Sequence, residues 1–244
     1  MTRPALSAPI PVLKRRARVI ARQTGAPLHA ALDRLARAEG FGSWSLLSAR
    51  AAPPPAPDRP AQVARLAAAL RPGELALIAA RPGHGKTLLG LGLAVAAARA
   101  GRRGGFYTLD WTEAETRARL AGIGADPEAP GLDLAASEAI AADWIADRFA
   151  DAAPGDVAVI DYLQALDQDR EKPPLAAQVE VLAGLAARTG ATVVCLAQVR
   201  AAYDPARAAL PGRADLRLPN PADLALFRRA CFLHGEAMAL DPAA

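Results

Sequence analysis

An apolar run, Leu75-Ala76-Leu77-Ile78-Ala79, leads into Ala80-Arg81-Pro82-Gly83-His84-Gly85-Lys86-Thr87, and a stretch of helix-forming residues begins at Lys86. This strand–loop–helix succession restricts the possible folds more than any other feature of the chain. Gly83 and Gly85 let backbone N–H groups turn inward around an anion with no Cβ in the way. The opening turn of the next helix adds unsatisfied N–H groups and the positive end of the helix dipole. Lys86 is placed to reach the outer phosphates of a triphosphate, and the Thr87 hydroxyl to ligate Mg²⁺. The segment Ala80, Arg81, Pro82, Gly83, His84, Gly85, Lys86 and Thr87 is therefore expected to bind ATP with Mg²⁺. Ala80 stands where the strict pattern has glycine, and His84 reads as an exposed filler.

Downstream the texture alternates between buried strands and helices. Strands are expected at residues 75–79, 106–109, 157–160, 192–196 and 231–233, and helices at 63–70, 86–99, 113–120, 138–149, 175–188 and 222–229, with a loop over 122–131. Strands apolar on both faces and separated by helices imply a mostly parallel sheet covered on both sides, an α/β fold. No internal repeat is evident.

Three of these strands end in a polar residue, at the edge where parallel sheets gather ligands. Asp161 follows Val157-Ala158-Val159-Ile160 and is a candidate for the Mg²⁺ shell together with Thr87; the plainer alternative is a turn or helix cap. Asp110 follows Phe106-Tyr107-Thr108-Leu109 and is either a base orienting the attacking water or the N-cap of the next helix. Gln198 follows Leu196-Ala197 and is either a sensor of the γ-phosphate or a satisfied buried amide.

The first 50 residues differ in character. Nine Lys/Arg against Asp33 and Glu39 give them a net charge of +7, so the remainder carries −3 of the overall +4. Three short helices are expected, with Leu13, Ala17 and Ile20 on the first, Leu28, Leu32 and Leu35 on the second, and Trp44 and Leu47 on the third after a Ser43 cap. Phe41 and Trp44 are expected to seal this bundle. Lys14, Arg18 and Arg22 are four residues apart and share a face, with Arg15 beside them. That face suits a nucleic-acid phosphate backbone, or it is simply solvated. No aromatic residues interleave with it, so base stacking has no support. Residues 51–60 are proline-dense and read as a semi-rigid linker. The expected organisation is a small basic helical module (1–50), the linker (51–60) and a nucleotide-binding domain (61–244). No apolar run approaches the roughly 18 residues of a membrane span. With no secretory signal and two cysteines in apolar stretches, Cys195 and Cys231, a reduced cytoplasmic setting with free thiols is expected.

Taken in order, these segments resemble the ATPase domain of the DnaB-type replicative DNA helicases. The loop at 75–87 resembles that family's first motif. Tyr107-Thr108-Leu109-Asp110-Trp111 falls where it has its catalytic-glutamate strand, and Val159-Ile160-Asp161-Tyr162-Leu163-Gln164 resembles its Walker B segment. Leu196-Ala197-Gln198-Val199-Arg200 and Asp215-Leu216-Arg217 resemble its later motifs. The likeness covers about residues 70–235. It implies a RecA-like P-loop NTPase that acts on DNA and assembles as a homo-oligomer, with Lys86, Asp110 and Gln198 in catalysis and Thr87 and Asp161 serving the metal. Asp110 is one methylene shorter than the family's glutamate, which implies slower hydrolysis; Glu113 is a weaker substitute. Arg200, Arg207, Arg213 and Arg217 are unassigned candidates for a basic finger. The alternative is a slow or inactive ATPase working as a nucleotide-dependent switch or assembly module, with residues 1–50 meeting a protein partner.

Overall fold

All six residues of β1 (Leu75–Ala80) are buried, because this strand runs through the interior of a sheet covered on both faces. The computed structural model describes residues 6–8, 10–51, 60–167, 171–218, 220–235 and 237–241. After β1 come α5 (Lys86–Arg99), β2 (Gly104–Thr108), α6 (Glu113–Gly122), β3 (Leu132–Ala136) and α7 (Ala142–Arg148). They are followed by β4 (Val157–Asp161), α8 (Leu175–Thr189), β5 (Thr192–Gln198), β6 (Arg229–His234) and β7 (Ala237–Asp241). The strands lie in the order β3-β2-β4-β5-β1-β6-β7. Every pairing is parallel except that of β6 with β7. The expected α/β fold with a mostly parallel sheet is thus present.

Alternate residues of β1 feed two cores. Leu75, Leu77 and Ala79 pack with Val179, Leu182 and Leu185 of α8 on one face. Ala76, Ile78 and Ala80 pack with Leu89, Leu91 and Leu93 of α5 on the other. Helix α5 lies close enough to the sheet that a Cβ on Gly104 would come 1.9 Å from the Ala94 carbonyl oxygen, which is why the second strand opens on glycine. Cys195 and Cys231 belong to opposite cores and are free thiols. Burial holds both in the protonated state, the Cys231 thiol being pushed up to about 12.

Several expected elements differ. The helix expected at 138–149 is only α7, since Ala141 is extended and Lys172 donates to the carbonyls of Glu138 and Ile140. Residues 222–229 form no α-helix; one 3₁₀ turn spans Leu224–Leu226, and Arg229 already pairs with Ala76 of β1. Arg213 holds this segment open by donating to the carbonyls of Leu224 and Phe227 at 2.6 and 2.9 Å. Strands β3 and β7, both at sheet edges, were not expected.

Edge strand β3 is fastened by charge. Asp133 accepts from Tyr107 Oη at 2.8 Å, Arg103 Nη2 at 2.9 Å and Arg148 Nε at 2.9 Å. Burial works against its ionised form, but the hydrogen bonds from Arg148, Arg103 and Tyr107 outweigh it and hold its pKa at about 2, against an ordinary 3.8. The folded value is the lower one. This stabilisation, on the order of 2 kcal/mol, is therefore complete above the ordinary carboxylate pKa and is lost as acid carries the pH down toward the folded value. Asp133→Asn should remove it at neutral pH and flatten the acid limb of the stability curve, as read by urea unfolding across pH.

Upstream lie α1 (Ile10–Thr24), α2 (Leu28–Ala38), α3 (Trp44–Ala51) and α4 (Pro60–Ala69). The first three form the expected bundle around Leu13, Ala17, Leu32, Trp44 and Leu47, with the Ser43 hydroxyl accepting from Leu46 N–H at 3.3 Å. Trp44 is buried, and Phe41 packs half-buried beside it. Of the expected linker, Ala51 ends α3 and Pro60 begins α4; residues 52–59 lie outside the described residues. No helix among the described residues is long and apolar enough to cross a membrane.

Candidate nucleotide site

The loop between β1 and α5 has the backbone that an anion cradle needs. Gly83 and Gly85 sit at φ +85° and +86°, in the left-handed region that favours glycine. Gly85 is the N-cap of α5 and has no side chain to satisfy the first N–H groups of the helix, which leaves them to point outward. Lys86 and Thr87 open the helix, Lys86 half-buried and Thr87 buried. His84 departs from expectation. Its ring stacks on His234 with centroids 4.7 Å apart, and its Nδ1 accepts from Gly235 N–H at 2.8 Å. It ties the loop between β1 and α5 to the β6–β7 turn and is no exposed filler.

Asp161 ends β4 two strands from β1 and is 2% exposed. Burial pushes its carboxyl above the ordinary range; Lys86 opposes that shift, Asp110 adds to it, and a hydrogen bond from Thr87 opposes it. A buried carboxylate facing a lysine and a threonine hydroxyl suits a hard cation shared with phosphate oxygens. Among the described residues no group of three or more His, Cys, Asp or Glu is placed to hold a metal ion by itself, so a cation here would draw further oxygens from nucleotide and water.

Asp110 follows β2 beyond Thr108, whose hydroxyl accepts from the Asp110 and Trp111 N–H groups at 3.1 and 3.2 Å. It caps nothing. The N-cap of α6 is Thr112, in a capping box with Glu115. Asp110 instead meets the N-terminal bundle: Arg18 Nη2 lies 3.3 Å from its Oδ1, and Lys14 Nζ 3.8 Å from its Oδ2. Glu113 is exposed and paired with Arg117 at 2.6 Å.

Gln198 ends β5 beside Ala80. Its Oε1 accepts from Arg217 Nη1 at 3.2 Å. Its backbone N–H donates to Gln164 Oε1 at 3.2 Å, and Gln164 Nε2 donates to the Arg217 carbonyl at 2.6 Å. Val199 bridges antiparallel to Leu216. One buried amide, Gln164, thereby ties the segment after β4 to both later motifs. Among the finger candidates, Arg213 is held by Asp241 at 2.7 Å, Arg200 pairs with Asp215 at 3.5 Å, and Arg217 is held by Gln198. Arg207 projects, 90% exposed in its side chain, with Asp204 3.8 Å away.

Of the basic-face residues, Lys14 and Arg18 are turned against Leu109 and Asp110, while Arg15 and Arg22 are exposed. Sequence reasoning missed Glu115 and Arg119. Glu115 is 2% exposed and accepts from the Trp44 indole at 2.9 Å. Arg119 lies over the Trp111 ring at 3.7 Å; burial lowers its pKa, and Glu115, Asp110 and Asp161 oppose that shift.

No protein-family model and no curated protein matches the chain. Solved structures do. The ATPase domain of G40P superposes with a TM-score of 0.53 at 17% identity, covering 66% of this chain and 69% of that one. A DnaB-like replicative helicase, described together with its interactions with primase, superposes with a TM-score of 0.54 at 16% identity, covering 90% of this chain and 65% of that one. The seven-stranded, mostly parallel α/β fold is therefore one this chain shares with these two structures. At these identities the likeness is one of fold, and the chain spans about two thirds of each of these relatives.

Proposed function

We propose that the chain binds ATP with Mg²⁺ at residues 80–87 and hydrolyses it, as a RecA-like protein that acts on or with DNA. The observation that carries this reading is convergence: the phosphate loop after β1 and the polar ends of β2, β4 and β5 lie along one edge of four neighbouring strands. Main-chain N–H groups around Gly83 and Gly85 hold the phosphates, and Lys86 neutralises their outer charge. Thr87 and Asp161 hold the cation, which when bound supplies charge neutralisation on the phosphate oxygens. Asp110 orients the attacking water, and Gln198 reports the γ-phosphate to the 215–217 segment through Arg217. By analogy with RecA-like domains the protein works in the cytoplasm as a homo-oligomer with nucleotide between subunits, and residues 1–50 meet DNA or a protein partner. ATP turnover with and without single-stranded DNA tests the proposal. Turnover should rise with DNA; a flat response, together with no retention on DNA at low salt, removes the DNA part.

A second reading has its own support. The ion pairs from Lys14 and Arg18 to Asp110 favour a slow ATPase that serves as a nucleotide-dependent switch. Tight ATP binding with negligible turnover, and a partner captured only with ATP, would select it; rapid unwinding by the pure protein would eliminate it.

A further inference from the structure

Helix α1 turns half of its basic face onto the loop that carries Asp110. Lys14 is 7% exposed, and its Nζ donates to the Asp110 carbonyl at 2.5 Å. One turn later, Arg18 Nη2 donates to the Leu109 carbonyl at 2.8 Å as well as facing Asp110 Oδ1. Trp44 of α3 fixes the other end of the loop through its buried bond to Glu115, which itself closes the capping box of α6. Two helices of one module thus grip both ends of residues 109–115, and each Asp110 carboxylate oxygen faces a cation.

We propose that the N-terminal module is a latch whose Lys14 and Arg18 restrain Asp110, and that a nucleic-acid phosphate backbone opens it by taking those cations. The proposal rests on Asp110 being the acid that orients the attacking water. Two acids compete for one set of bases. The docked contact carries a desolvation cost, since burial pushes the Lys14 ammonium down while Asp110 pulls it back. The phosphate contact leaves the same ammonium hydrated and adds Arg15 and Arg22, which are exposed on the same helix. ATP turnover and polyanion binding are then coupled through shared contacts.

The test uses the full chain: wild type, Arg18→Gln, and Lys14→Gln with Arg18→Gln. Turnover is measured with and without a single-stranded oligodeoxynucleotide, and hydrogen exchange is followed over residues 108–116. The oligonucleotide should raise wild-type turnover by about tenfold and speed exchange over 108–116. The double variant should turn over at the raised rate without oligonucleotide and respond no further, and Arg18→Gln, which leaves Lys14 in place, should fall between. Basal turnover of the double variant at or below wild type would overturn the latch, as would unchanged exchange in wild type saturated with oligonucleotide. Calorimetry separates the two readings. Absence of heat from ATP with magnesium removes the nucleotide assignment and leaves exchange to decide the latch, whereas normal heat with unaltered variant turnover removes the latch alone.

Discussion

Lys86→Ala is expected to abolish ATP binding, with no calorimetric heat at concentrations that saturate the wild type, and to lower turnover by about a thousandfold. In the proposed site the loop amides would position a triphosphate but leave much of its outer charge unneutralised. The ammonium at the first position of α5 is the group placed to neutralise it. Lys86 is half-buried at a helix start and its charge faces the buried Asp161, so circular dichroism is used to check that the variant folds. Binding at wild-type strength would mean that the nucleotide sits elsewhere.

Asp161→Asn should separate stability from activity. The carboxylate is almost wholly buried, and burial pushes its pKa above the ordinary range, so its ionised form strains the apo fold. Asparagine keeps the shape and can still accept from Thr87 while removing the buried charge. The apo protein is therefore expected to gain about 1 kcal/mol, read as a Tm higher by roughly 2–4 °C. Magnesium-dependent turnover should fall by about two to three orders of magnitude as a cation ligand is lost. A lower Tm would show that the carboxylate has a structural role, and unchanged turnover would remove it from the metal site.

What the sequence reveals is what is written locally. Gly83, Gly85, Lys86 and Thr87 encode their backbone and chemistry within five residues, and central strands such as Val193-Val194-Cys195-Leu196 declare themselves by unbroken apolar runs. Edge strands do not. Leu132–Ala136 is half-buried throughout and interrupted by Asp133, whose role depends on Arg103, Tyr107 and Arg148. Ala237–Asp241 has the composition of a helix and becomes a strand by pairing with β6. Ala-Asp-Leu-Ala-Leu-Phe at 222–227 also favours a helix, and the tertiary bonds of Arg213 override it. The docking of Lys14 and Arg18 on residues more than ninety positions away has no local signature; spacing shows only that the two share a face.

The Gln164 amide has a mechanical consequence. It donates to the Gln198 and Arg217 carbonyls and accepts from Gln198 N–H, so the ends of the two central strands and the outer loop are riveted at a single point. A displacement of Gln198 by a ligand cannot be absorbed by one side chain rotating alone. It should pull on the chain after Asp161 and the stretch around Leu216, since both are tied to the same amide.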